Sequence, residues 1–152
     1  MFVGDGSYLM MNSDLYSSVL AGHKMIVIVC DNAGFAVINR LQINQGSKPF
    51  NNLLADCRLG GDEVVKVDFA AHAASMGAHA VTVDSIAGLH DAVAAARDHD
   101  RTSVIVLEVD QYTWTEGGSF WEVGVPEVSN MQSVLDARAD LDKGKADQRI
   151  GW

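Results

Sequence analysis

The sequence has 152 residues, a length that suits one domain with a real core, and a formal charge of −9. That acidic balance argues against nucleic acid, which needs a basic footprint, and no apolar run approaches the length of a membrane span. The N-terminus lacks the basic flank and cleavage site of a secretory signal, and Cys30 and Cys57 form no C-x-x-C pair, so a cytoplasmic, reduced protein is expected.

In chain order, Met1-Phe2-Val3 reads as the end of a strand just ahead of Gly4-Asp5-Gly6-Ser7. A strand needs about five residues to be secure, so this one looks cut short and a fragment or separately encoded piece is expected. A helix is predicted over about 12–21, with Leu15, Val19 and Leu20 inward, Asn12 or Ser13 as its N-cap and Gly22 as its stop. Met25-Ile26-Val27-Ile28-Val29-Cys30 has the β-branched content of a buried parallel strand, with Cys30 a small packed hydrophobe. After Asp31-Asn32-Ala33-Gly34-Phe35 comes a short helix over about 35–42, whose Phe35, Ile38 and Leu41 share a packing face. Asn39, Arg40 and Gln42 then fall elsewhere, as solvated surface or as substrate contacts.

Residues 44–66, with Pro49, Gly60, Gly61 and Asp62, have a loop composition and a length usual for lids; partial disorder is expected there. Asp68 caps a helix over about 68–76 with Phe69, His72, Ala73 and Met76 on one face, stopped by Gly77. A strand over 79–83, a helix over 85–99 with Ile86, Leu89, Val93 and Ala96 inward, and an apolar strand over 103–109 follow. This alternation argues for an α/β fold, an open, mostly parallel sheet with helices on both faces. The histidines His23, His72, His79, His90 and His99 show no zinc-ligand spacing, and no nucleophile elbow is present. The aromatic, Gly-rich run from Tyr112 to Pro126 reads as a packed arm or as a lid with Glu116 or Glu122 as polar contacts. A final helix over about 130–142 and a frayed tail complete the chain, dividing it into a domain over 1–125 and a C-terminal helix and tail over 126–152.

The chemistry concentrates at the first and second strand ends. Asp5 and Asn32 both follow apolar strands, and in open α/β sheets that carboxyl edge is where ligands bind. A carboxylate and an amide oxygen, with a backbone carbonyl near Gly34, suit a hard cation holding a diphosphate. Any helix starting after Ser7 would aim free N–H groups at a phosphate. A dinucleotide-binding module is the rival reading of Gly4-x-Gly6, and it fails because Leu9 stands where the third glycine belongs.

GDG, an interval of helix and strand, then an Asn with a Gly two residues later resembles the cofactor motif of thiamine-diphosphate enzymes, which often carry Asn-Asn where this chain has Asp31-Asn32. The resemblance implies thiamine diphosphate and Mg2+ as cofactors, with Asp5, Asn32 and the Gly34 carbonyl as metal ligands. It also implies that Gly6 and Ser7 touch the diphosphate and that Phe35 belongs to the cofactor-binding set, with no catalytic side chain assigned. Asp68-Phe69-Ala70-Ala71 and Gly77-Ala78 are similar to the closing half of the same domain, which in that family begins with a strand and helix ahead of GDG.

The segments 4–15, 31–42 and 112–129 look like the trihydroxycyclohexane-1,2-dione hydrolases of myo-inositol catabolism. That likeness implies a C–C bond hydrolase opening a cyclic diketone to 5-deoxyglucuronate, in a homo-oligomer. It implies as well a pyrimidine-binding domain that supplies the activating Glu, so that this chain alone is inactive. An acetohydroxyacid synthase or glyoxylate carboligase-like domain, and a non-catalytic assembly piece, are the alternatives.

Overall fold

The computed structural model of the chain describes residues 1–57, 65–114 and 124–149. Its centre is a pair of β-branched strands, β2 (Ile26–Asp31) and β4 (Ser103–Glu108), which run parallel in register from Ile26 opposite Ser103 to Asp31 opposite Glu108. Side chains that are apolar on both faces suit strands covered on both faces. β1 (Phe2–Gly4) joins the free side of β2 and β3 (His79–Val83) the free side of β4, giving a parallel sheet of order β1-β2-β4-β3.

Alternation along the strands divides the core. Val27, Val29, Val104 and Val106 point to one face, under Tyr8 and Leu15 of α1 (Asp5–Leu20) and Phe69 and Ala73 of α3 (Phe69–Ser75). Ile28 and Ile105 point to the other, under Leu89, Val93 and Ala96 of α4 (Ile86–Ala96). Asp68 Oδ1 caps α3 by accepting from Ala71 N at 2.9 Å, and Ser85 Oγ caps α4 by accepting from Gly88 N at 3.1 Å. The predicted parallel α/β architecture is therefore present, with the carboxyl ends of β1 and β2 side by side. No helix among the described residues is long and apolar enough to cross a membrane.

Several expectations are corrected. α1 begins at Asp5 and bends at Met11 (φ −126, ψ 21), so the glycine-rich motif is itself its first turn. Gly and Ser lower local helix propensity, but Tyr8 overrides it by burying its ring edge-on against Phe69 and meeting His72 Nδ1 at 3.0 Å. Asn12 consequently caps nothing; its Nδ2 donates to Leu9 O at 2.8 Å. Leu20 and Ile86, the last residue of α1 and the first of α4, are exposed, and α4 stops at Ala96.

The largest correction concerns α2 (Ala36–Asn44). Phe35, Ile38 and Leu41 are exposed while Asn39 is buried. Periodicity identifies an apolar face but says nothing about which surface covers it, and nothing in the described chain covers this one. Arg40 stacks on Trp114 at 5.0 Å and Gln42 accepts from Asn52 Nδ2, so neither is plain solvated surface.

Over residues 44–57 the expected loop contains a 3-10 turn (Leu54–Asp56) and a buried Leu53 bridged antiparallel to Gly34. Residues 58–64 of that loop, including Gly60, Gly61 and Asp62, lie outside the described residues, as do Glu116, Glu122 and the last residues of the tail. α5 (Gln132–Ala146) runs past the predicted end and meets the turn after α2, where Ser133 Oγ donates to Gly46 O at 2.6 Å. Cys30 packs against the α4-side core as expected; Cys57 is exposed.

Candidate functional site

Gly4 lies opposite Cys30 across β1 and β2, so the residues that follow each strand leave the sheet at one edge. Asp5 is only 4% exposed, and its Oδ2 accepts from Gly34 N at 2.7 Å. The amide end of Asn32 stands 2.6 Å from the Gly34 carbonyl oxygen and 3.1 Å from Asp5 Oδ1. The chain thus brings together the three expected oxygen donors.

Hydrogen bonding favours one orientation of that amide. With nitrogen inward, Asn32 donates to both oxygens and the site is satisfied without a ligand. With oxygen inward, three oxygens face one another, an arrangement that a cation between them would reward. A half-turn of one side chain separates the two. One carboxylate, one amide and one carbonyl form a hard, singly charged donor set that fits Mg2+, and the described residues contain no grouping of three His, Cys, Asp or Glu side chains that could hold a metal.

The loop that delivers these atoms is held in unusual backbone. Ala33 is left-handed (φ 59), and Asp31 Oδ1 supports the turn by accepting from Ala33 N at 3.0 Å. Gly34 has φ +140, and a Cβ there would stand 2.5 Å from Asn52 O. That close approach is used: Phe35 N donates to Asn52 O at 2.7 Å and Leu54 N to Ala33 O at 2.9 Å. The segment 51–54 therefore clamps the loop from Asp31 to Phe35, a role that its loop-like composition does not signal.

Gly6 is buried directly beneath the Phe35 ring, which leaves no room for a side chain, and Ser7 is exposed. Gly4, the residue before α1, supplies no side-chain cap to the amides of the first turn. Burial pushes the Asp5 carboxyl up, the Gly34 and Gly6 amides oppose this, and the neighbouring Asp31 carboxylate adds to the rise.

A cavity of about 130 Å3 opens beside Asp5 and Gly34, with Leu9, Leu53, Lys66 and Phe69 in its walls. A second, of about 320 Å3, lies on the far side of the loop among Asp31, Asn32, Glu108 and Asp110, again with Lys66. Lys66 and Asn52 are the members of this site that sequence reasoning missed. Neither sits in a motif, and both arrive through a loop.

Residues 1–107 match the family described as thiamine pyrophosphate enzyme, C-terminal TPP binding domain. The chain is 37% identical over 144 residues to the 3D-(3,5/4)-trihydroxycyclohexane-1,2-dione hydrolase of Lacticaseibacillus casei, covering 93% of this chain and 22% of that one. It is 35% identical over 136 residues to the enzyme of the same name from Bacillus subtilis (strain 168), covering 89% and 21%. It therefore spans about a fifth of the length of these curated relatives. Among solved structures, benzoylformate decarboxylase from Polynucleobacter necessarius superposes with a TM-score of 0.58 at 21% identity over 72% of this chain and 19% of that one, a likeness of fold. A thiamine diphosphate-dependent 4-hydroxybenzoylformate decarboxylase from Rhodococcus jostii does so at 0.56 and 18% identity, over 72% and 19%. With its parallel sheet, its GDG turn and its matching Asn loop, the chain belongs to the thiamine pyrophosphate enzymes as a C-terminal TPP-binding domain.

Proposed function

We propose that Asp5, Asn32 and the Gly34 carbonyl hold Mg2+ against the diphosphate of thiamine diphosphate, with Gly6, Ser7 and Phe35 completing the cofactor contacts. The reading rests on the Asn32 amide standing 2.6 Å from Gly34 O and 3.1 Å from Asp5 Oδ1 at one sheet edge. The chain is then the cofactor-binding part of a C–C bond hydrolase that opens trihydroxycyclohexane-1,2-dione to 5-deoxyglucuronate in myo-inositol catabolism, a reading supported by the names of its relatives.

When bound, the cofactor supplies the electron sink that carbon–carbon cleavage needs, and Mg2+ neutralises its diphosphate. This chain's residues bind and orient. The Asp31–Ala33 turn supports the Gly34 carbonyl, the amides of the first turn of α1 that the Asp5 carboxylate leaves free are offered to phosphate, and Leu9, Leu53 and Phe69 keep the adjoining wall apolar.

Cleavage itself requires a pyrimidine-binding domain, and the exposed apolar side chains of α1 and α2 offer it a surface. The assembly is a cytoplasmic homo-oligomer, in keeping with two free cysteines. The isolated 152 residues bind Mg–thiamine diphosphate weakly and turn over nothing. Calorimetric titration of the complete enzyme tests the anchoring step: Asp5→Ala should abolish Mg-dependent cofactor binding, and unchanged affinity would remove the metal assignment. Offering the enzyme a cyclic dione and pyruvate separates hydrolase from carboligase, and condensation of pyruvate without ring opening would favour the carboligase.

A further inference from the structure

A diphosphate carries more negative charge than one divalent cation cancels, and this site adds Asp5 and, one strand end away, Asp31. The chain as a whole is acidic, at −9. Something nearby must supply positive charge. Among the described residues that line the two cavities flanking the Asn32 loop, one side chain is cationic, and it is Lys66 in both.

Its present partner holds it loosely. Lys66 Nζ stands 3.6 Å from Glu108 Oε1, with the two side chains 63% and 71% exposed, and an ion pair so wet is readily exchanged for a better one. Its position in the chain is close to the site. Lys66 lies just before Asp68, whose carboxylate caps α3, and Phe69, which is buried in the core and lines the same cavity as Asp5. A flexible four-carbon stem suits a residue that must swing a point charge over a short distance.

We propose that Lys66 is a diphosphate-binding residue: as the Mg–diphosphate enters, its ammonium leaves Glu108 and pairs with a phosphate oxygen. This rests on reading the site as a Mg–diphosphate site, and it assigns Glu108 the part of a competitor that holds Lys66 when the ligand is absent. No step but ion-pair exchange is involved.

The two partners of the resting pair give the test its sign. In calorimetric titrations of the complete enzyme with Mg–thiamine diphosphate and with Mg–pyrophosphate at low ionic strength, Lys66→Met should weaken both ligands about fivefold and Lys66→Arg should restore most of the loss. Glu108→Gln, which frees Lys66, should tighten both about twofold. Added salt should shrink these differences. Were Lys66 only the surface partner of Glu108, both variants would lose the same pair and neither would alter binding; that result, with Asp5→Ala still impaired, overturns the assignment and leaves the site reading intact. Unimpaired binding by Asp5→Ala would instead overturn the site reading, and the Lys66 assignment with it.

Discussion

Asp5 is buried, and its hydrogen bond from the Gly34 amide only partly compensates the ionised form for lost water. Its folded pKa lies above the ordinary 3.8, with burial the largest cause. A group shifted in that direction contributes stability that is full below the unfolded pKa and is lost as pH rises through the folded one, so at neutral pH the cation-free chain carries a penalty. Asp5→Asn should therefore raise the melting temperature of chelator-treated protein at pH 7, with the gain fading as pH falls below the ordinary carboxyl value. With Asp5 in the proposed metal-binding role, the same variant should also lack the Mg2+-dependent stabilisation expected of the complete wild-type enzyme. Thermal unfolding across pH and metal measures both, and a wild-type chain more stable than the variant at pH 7 in chelator would contradict the burial argument.

Two neighbouring residues of the loop are expected to respond in opposite directions. Gly34→Ala forces a Cβ to 2.5 Å from Asn52 O at φ +140 and should cost roughly 3 kcal/mol in denaturant unfolding. Ala33→Gly relieves a left-handed alanine (φ 59) and should stabilise by roughly 0.5 kcal/mol, the relief being partly offset by the freer unfolded chain.

At the scale of elements, the first turns of α1 are separated from the rest of the helix by the bend at Met11 and owe their direction to what they touch. Asp5 ties them to the loop around Gly34, and Tyr8 ties them to α3 through His72. Tyr8→Phe keeps the ring against Phe69 and removes one hydroxyl from a buried position; a loss of about 1 kcal/mol is expected in equilibrium unfolding. Asp68→Ala removes the cap of α3, and with it a comparable amount, about 1 kcal/mol. Both losses act on α3, where His72 N donates to Asp68 O at 2.9 Å, so the double variant should depart from additivity.

At the scale of the molecule, α1 and α2 carry several exposed apolar side chains, the surface that the proposed pyrimidine-binding domain would cover. Met10, Val37 and Ile38 are 67%, 59% and 51% exposed, and Leu9, Met11 and Phe35 lie open on the same helices or at their ends. The isolated chain is expected to bind an apolar dye and to sediment as concentration-dependent assemblies, and supplying the pyrimidine-binding domain should suppress both. Dye fluorescence and sedimentation velocity measure this. A strictly monomeric, dye-silent chain would show that these side chains are tolerated singly rather than reserved for a partner.

Strand identity, helix alternation and the pairing of Asp5 with Asn32 were legible in the sequence because each rests on a local pattern: β-branched runs, capping residues such as Asp68, and oxygen-bearing side chains placed just past strand ends. The order in which strands lie in the sheet, the start of α1 at the motif itself, the outward turn of α2 and the clamp from Asn52 to Leu54 were not. Each of these is decided by contacts between segments far apart in the chain, as when Tyr8 meets His72 or Gly34 meets Leu53. Local pattern names which atoms a residue can offer; only the packed chain decides which of them face one another, and here that is the difference between three scattered oxygens and a site.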